Sequence, residues 1–146
     1  MALVTLSDWP EVRALLDAQL TPNDLRNEVI AADAYAGRAE REVLGRITNA
    51  QALVDANGDD GKRVKLAVKC LIAAFLAPVV VRLTSVTVQG RDAAYSRQTF
   101  DPTKRAAELR AQAEAEIAEI LKPDAEGNRT YAMPITFRLA RGNRGL

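Results

Sequence analysis

An apolar run, Cys70–Val81, restricts most strongly how this chain can fold. It is too short to cross a bilayer, which takes about 20 apolar residues in a helix, and it is flanked by Lys69 and Arg82 and contains Pro78. Apolar residues also precede it at spacings of three and four. The pattern predicts a buried central helix that begins near Gly61.

The composition is that of one ordinary globular domain. The 146 residues are 48% hydrophobic, and 20 basic against 19 acidic side chains leave a net charge of +1. No overall field therefore draws the protein to nucleic acid or to a membrane. The single cysteine, Cys70, cannot form an intramolecular disulfide and is predicted to be a buried thiol. Met1–Leu6 does not resemble a secretory signal, so we expect synthesis in the cytoplasm.

Two helices are predicted before the central one. Asp8 followed by Glu11 resembles a capping box, which predicts a helix from Trp9 to Asp17. Thr21-Pro22 predicts the start of a second helix that ends near Gly45 or Asn49. The apolar stripe of this second helix is Leu25, Val29, Ala32, Ala36, Ala39 and Val43.

The rest of the bundle is divided by turn signals. Asp55–Gly61 is a turn-rich break before the central helix. After Pro78 the β-branched residues Val79–Val81 and Thr84–Val88 predict extended structure, with a short hairpin at Ser85–Tyr95. Asp101-Pro102 caps a last helix that Pro123 ends. Its core stripe is Ala106, Leu109, Ala113, Ile117, Ile120 and Leu121, and its outer acids are Glu108, Glu114, Glu116 and Glu119.

The tail, Asp124–Leu146, alternates apolar and other residues as a strand does. A lone strand needs a partner for its backbone hydrogen bonds, so pairing with another chain is one interpretation, and a solvated, frayed terminus is the other. The residues of interest are Arg129, Tyr131, Met133, Ile135, Phe137, Arg138, Leu139, Arg141 and Arg144. We predict a mainly α protein: a helical bundle of roughly four helices at 1–123 with a short hairpin-like segment, and an extended C-terminal arm at 124–146.

The sequence lacks the motifs expected of catalytic, phosphate-binding and metal-binding sites. The chain has no histidine, which removes the commonest general base and many metal sites. Gly58 and Gly61-Lys62 lack the spacing of a phosphate loop, and Asp55, Asn57 and Asp59 lack the glycine and glutamate of a calcium loop. Paired acids such as Glu40 and Glu42 are interpreted as surface charges. We expect no enzyme activity, cofactor or metal.

The order of these segments resembles the head–tail connector (adaptor) proteins of long-tailed phages. The segments that carry the resemblance are the opening Leu3–Leu16, LTPNDLRNEVIAADAYAGRAEREVLGR at Leu20–Arg46, the apolar helix Val64–Leu76, SVTVQGRDAAYS at Ser85–Ser96 and the alanine-rich helix after Asp101. The arm is longer and richer in arginine than in the simplest connectors, and Asp55–Gly61 looks like an insertion.

The resemblance implies a virion protein of the neck. Such subunits assemble as a ring, commonly of twelve copies, below the portal protein; they extend the DNA channel without reading its sequence and dock the next neck, stopper or tail protein. It also implies that the arm contacts the portal through Tyr131, Met133, Ile135, Phe137, Arg138, Leu139, Arg141 and Arg144, and that Val86, Val88, Arg91 and Tyr95 lie at subunit interfaces.

Two other classes stay open from the residues alone. A small helical nucleic-acid-binding subunit for packaging or regulation would use Arg129–Arg144 on phosphates, although the near-neutral charge argues against it. An enzyme on a helical bundle lacks an evident acid–base pair, metal ligands and a phosphate cradle.

Overall fold

The computed structural model describes residues 2–17, 20–87 and 101–122, with 81–87 described by their backbone alone. Every regular element in these ranges is helical, so the mainly α class is confirmed. The elements are a 3-10 turn at Leu6–Asp8, α1 (Trp9–Leu16), α2 (Asn27–Ile30), a π-helical turn at Asp33–Gly37, α3 (Arg38–Arg46), α4 (Ala50–Ala56), α5 (Asp59–Thr87) and α6 (Pro102–Leu121).

Helix α5 is the centre of the bundle, as the apolar run predicts. It packs against α1, α3, α4 and α6, most extensively against α6. All eight residues from Cys70 to Ala77 are buried, so neighbours cover the whole circumference of α5 there. The apolar face of α6 lies on it through Leu109, Ala113, Ile117 and Ile120, all of which are buried as predicted.

The start of α1 differs from the predicted capping box. The carboxylate of Asp8 accepts hydrogen bonds from the backbone N–H of Thr5 at 2.7 Å and from the Thr5 hydroxyl at 3.3 Å. It therefore closes the 3-10 turn before α1 and does not cap α1 itself. Glu11 instead contacts Lys69 of α5. Sequence spacing identified the right helix but assigned its acids to the wrong partners.

The predicted second helix is interrupted. Asp24 accepts hydrogen bonds from the Thr21 backbone N–H at 2.9 Å and from the Thr21 hydroxyl at 2.7 Å, so this segment forms a turn. The backbone carbonyl of Leu25 accepts a hydrogen bond from Nε of Arg13 at 2.8 Å. Because side chains bind the Thr21 N–H and the Leu25 carbonyl, α-helical structure begins only at Asn27. A π-helical turn then separates α2 from α3. Four of the six stripe residues are buried, namely Leu25, Ala36, Ala39 and Val43.

The turn before α5 is shorter than predicted because α4 precedes it. Asn57 ends α4 in the left-handed conformation, with φ of 54°, and α5 begins at Asp59. Gly61 then passes close to α4: a Cβ there would stand 2.2 Å from the backbone oxygen of Leu53. Only glycine allows this approach of the two helices.

The prediction of extended structure after Pro78 is wrong, because α5 continues through Pro78 to Thr87. Proline removes one backbone donor and crowds the preceding turn, at a cost of about 3 kcal/mol. Here the proline ring is exposed while Ala77 and Val80 on either side are buried. Burial of the apolar face outweighs the local preference of proline and of the β-branched residues.

The predicted hairpin at Ser85–Tyr95 is wrong for its first residues, because Ser85–Thr87 belong to α5. Residues 88–95 lie outside the described part. The predicted cap of the last helix is confirmed: Asp101 accepts hydrogen bonds from the backbone N–H groups of Thr103 at 3.0 Å and Lys104 at 3.1 Å, and Pro102 is the first helical residue.

Candidate functional site

The residues predicted to contact partners fall mostly beyond what the structure describes. Val86 lies in the last turns of α5, where only the backbone is described. The other interface candidates, Val88, Arg91 and Tyr95, and all the predicted arm residues, Tyr131, Met133, Ile135, Phe137, Arg138, Leu139, Arg141 and Arg144, lie outside the described residues. The contacts that the structure does describe lie in the bundle.

The first feature of the bundle is a buried lysine between α5 and the N-terminal segment. Lys69 is 7% exposed, and its ammonium group lies 3.7 Å from the carboxylate of Asp8 and in direct contact with that of Glu11. Asp8 is equally buried, whereas the Glu11 side chain is 63% exposed. A buried lysine needs such partners, so this cluster holds α1 against α5.

Two arginines donate hydrogen bonds to backbone carbonyl groups of other segments. Arg13 is buried and donates from Nε to the Leu25 carbonyl at 2.8 Å and from its terminal nitrogen to Asn27. Burial lowers the pKa of its guanidinium group. Arg105 of α6 donates to the Leu15 carbonyl near the end of α1, from Nε at 2.9 Å and from a terminal nitrogen at 2.5 Å. Both therefore join elements that are distant in sequence.

Carboxylates make similar connections. Glu40, interpreted from sequence as a surface charge, is half-buried and accepts hydrogen bonds from the backbone N–H groups of Leu3 at 2.8 Å and Val4 at 3.3 Å. The interpretation of Glu40 as a solvated acid is thus wrong. Two of the four outer acids of α6 form ion pairs with other helices, Glu114 with Arg46 at 2.6 Å and Glu116 with Arg63 at 3.0 Å.

Burial makes the single thiol of the chain, that of Cys70, unreactive. Cys70 is fully buried, as predicted, and burial raises the pKa of its thiol to about 11, with a further contribution from the charge of Glu116. The nucleophilic thiolate is therefore scarce at neutral pH. Within the described ranges, no three of the residues Cys, Asp and Glu are grouped as metal ligands.

One surface cluster joins three helices through an aromatic ring instead of through a carboxylate or a carbonyl group. The guanidinium carbon of Arg38 in α3 lies 4.3 Å from the ring centre of Phe75 in α5, and that of Arg110 in α6 lies 5.1 Å from the same ring. Both arginines are exposed, and Phe75 is 8% exposed. We call these three residues the Phe75 cluster. No sequence signal predicts it, because its members come from three helices.

The comparisons with known proteins add no family to this description. No family model, curated protein or solved structure matches the chain. Across the described residues, no helix is both long and apolar enough to cross a membrane.

Proposed function

We propose that this protein is a structural subunit of a phage neck, a head–tail connector that joins other copies in a ring below the portal. The observation that supports this most directly is the use of charged residues in the bundle. Lys69, Arg13, Arg105 and Glu40 all join separate elements. Such contacts suit a rigid building block.

The end of α6 supports the proposed role of the arm. Ile117 and Ile120 are buried in the bundle core, and the backbone N–H of Lys122 still bonds the Ala118 carbonyl at 3.0 Å. Lys122, the last described residue, is therefore fixed to the bundle, two residues before the predicted arm begins. An extended segment with alternating side chains can add to the edge of a partner's sheet through its backbone, while its arginines pair with acids.

The first test is size-exclusion chromatography with light scattering on the full chain, alone and mixed with the candidate portal protein. We expect a ring, or a monomer that joins the portal in many copies. A chain that ends at Lys122 should keep its helical circular dichroism and lose portal binding. Unchanged binding by this shortened chain would contradict the role of the arm.

A matched pair of arm variants tests the strand pattern. The triple variant Met133→Ser, Ile135→Ser and Phe137→Ser changes one face of the predicted strand and should abolish portal binding. Serine at Ala132, Thr136 and Ala140 alters the other face and should leave it largely intact. Equal effects would argue against strand addition. If the full chain ignores the portal but binds duplex DNA with steep salt dependence, the nucleic-acid alternative is favoured instead.

A further inference from the structure

The two arginines of the Phe75 cluster differ from the other arginines of α3 and α6 because they contact an aromatic ring instead of a carboxylate. The remaining arginines of α3 and α6 each pair with a carboxylate: Arg41 with Asp33 at 2.7 Å, Arg46 with Glu114 at 2.6 Å and Arg105 with Glu108 at 3.2 Å. Among the described residues, no carboxylate lies within 4.0 Å of Arg38 or Arg110.

The two guanidinium carbons lie 4.3 and 5.1 Å from the centre of the same phenyl ring, so two positive charges share one aromatic side chain. The negative face of an aromatic ring attracts each cation, but at an exposed site this attraction is modest. The two cations also repel each other. An anion placed between or beside them relieves this repulsion and accepts hydrogen bonds from the planar donor groups. The ring orients the arginines beforehand, which reduces the entropy lost on binding.

From this geometry we infer that the Phe75 cluster is a docking site for an acidic peptide segment of a partner protein, in which an aspartate or glutamate side chain binds Arg38 and Arg110. The inference depends on the bundle alone and holds whether or not the arm binds a portal.

The surroundings favour a single carboxylate over the phosphates of a nucleic acid. Glu114 lies one turn beyond Arg110 on α6, and its hydrogen bond from Arg46 lowers the pKa of its carboxyl group, with a smaller contribution from the charge of Arg110. Glu114 is therefore negatively charged at neutral pH. A polyanion laid across the cluster would meet this charge, whereas one short side chain need not.

The test is an NMR titration of the full chain labelled with nitrogen-15, observing the arginine Nε–Hε signals. The probe is a blocked peptide with two adjacent glutamates, and the control peptide has glutamines instead. We expect the signals of Arg38 and Arg110 to shift with the first peptide only, while that of Arg41 stays in place. If neither signal shifts more than that of Arg41, the inference is wrong.

Variants separate binding from a purely structural role. Arg38→Gln and Arg110→Gln should each weaken peptide binding roughly tenfold, the usual effect of losing a hydrogen bond to a charged group. Arg41→Gln removes the same charge from α3 outside the cluster and should leave the affinity unchanged. Equal weakening in all three variants would show a general charge effect and would overturn the site.

Two further measurements test the class of partner and the role of the Phe75 side chain. Phe75→Leu keeps both charges and a buried apolar side chain, so it should weaken binding severalfold only if the ring positions the arginines; unchanged affinity would overturn that step. A short duplex DNA is titrated in parallel. If it shifts the same two signals at lower concentration than the peptide does, the assignment to an acidic protein segment is wrong.

Discussion

Replacing Lys69 with methionine should be among the most damaging single changes in the bundle. Lys69 and Asp8 are each 7% exposed, so removing the ammonium group leaves the carboxylate of Asp8 buried without its cation. Breaking a buried ion pair in this way costs about 3–5 kcal/mol. The lower end applies here, because Asp8 keeps two hydrogen bonds from Thr5 and because Glu11 is 63% exposed and can turn to water.

A loss of about 3 kcal/mol in the free energy of unfolding corresponds to a fall of about 12 °C in Tm for a domain of this size. Urea denaturation followed by circular dichroism measures the first quantity, and a thermal scan the second. Lys62→Met is the matched control on the same helix. Its side chain is 70% exposed and lies 3.9 Å from Asp59, so the expected change is within about 0.5 kcal/mol.

The cluster can also be tested by a double variant. If Lys69 stabilises the fold through Asp8, then Asp8→Asn together with Lys69→Met should cost clearly less than the sum of the two single changes. Losses that simply add would show that the two groups do not interact. Equal stability of the Lys69→Met and Lys62→Met variants would refute the reasoning from burial altogether.

Two other substitutions and one thiol reaction test separate parts of the fold. Gly61→Ala should destabilise by about 1–3 kcal/mol, because its Cβ would stand 2.2 Å from the Leu53 oxygen, whereas Gly58→Ala, with nothing within 4 Å, should change little; urea denaturation of both decides. Asp101→Ala removes the two cap hydrogen bonds of α6 and should cost about 1 kcal/mol by the same assay, and no loss would contradict the cap. Cys70, with its pKa raised from 9.0 to about 11, should react with iodoacetamide at pH 8 at least about a hundredfold more slowly in the folded chain than in urea, and similar rates would show an accessible thiol.

The sequence predicts the parts of the fold that depend on local signals. Asp101-Pro102 begins a helix because the carboxylate satisfies two free backbone N–H groups within three residues, and no distant contact competes with it. The burial of the central helix and its approximate start are predicted as well, because a long apolar run can only be buried, whereas its end at Thr87 is not predicted. Both predictions require nothing beyond neighbouring residues.

The errors arise where distant residues decide the local structure. Thr21-Pro22 resembles a helix start, but the side chain of Arg13, 12 residues before Leu25, binds the Leu25 carbonyl. Pro78 predicts the end of a helix, but the burial of Ala77 and Val80 keeps the chain helical. No spacing in the sequence reveals such contacts.

The candidate site was missed for a related reason. Phe75 belongs to the apolar run that predicts the central helix and is buried as expected, while Arg38 is exposed. Their meeting with Arg110 depends on how three helices pack, which hydrophobic periodicity does not determine. Surface clusters assembled from several elements are therefore the features least accessible to such reasoning.

The bond from Arg105 to the Leu15 carbonyl has a consequence during synthesis. The ribosome completes α1 long before Arg105 is added, and until α6 emerges nothing covers the face of α5 on which Leu109, Ala113, Ile117 and Ile120 will lie. The nascent chain therefore carries a large apolar surface from the synthesis of α5 until α6 has emerged, open to chaperones and proteases. Premature termination before α6 should yield products that are degraded, so that only chains with a complete bundle accumulate.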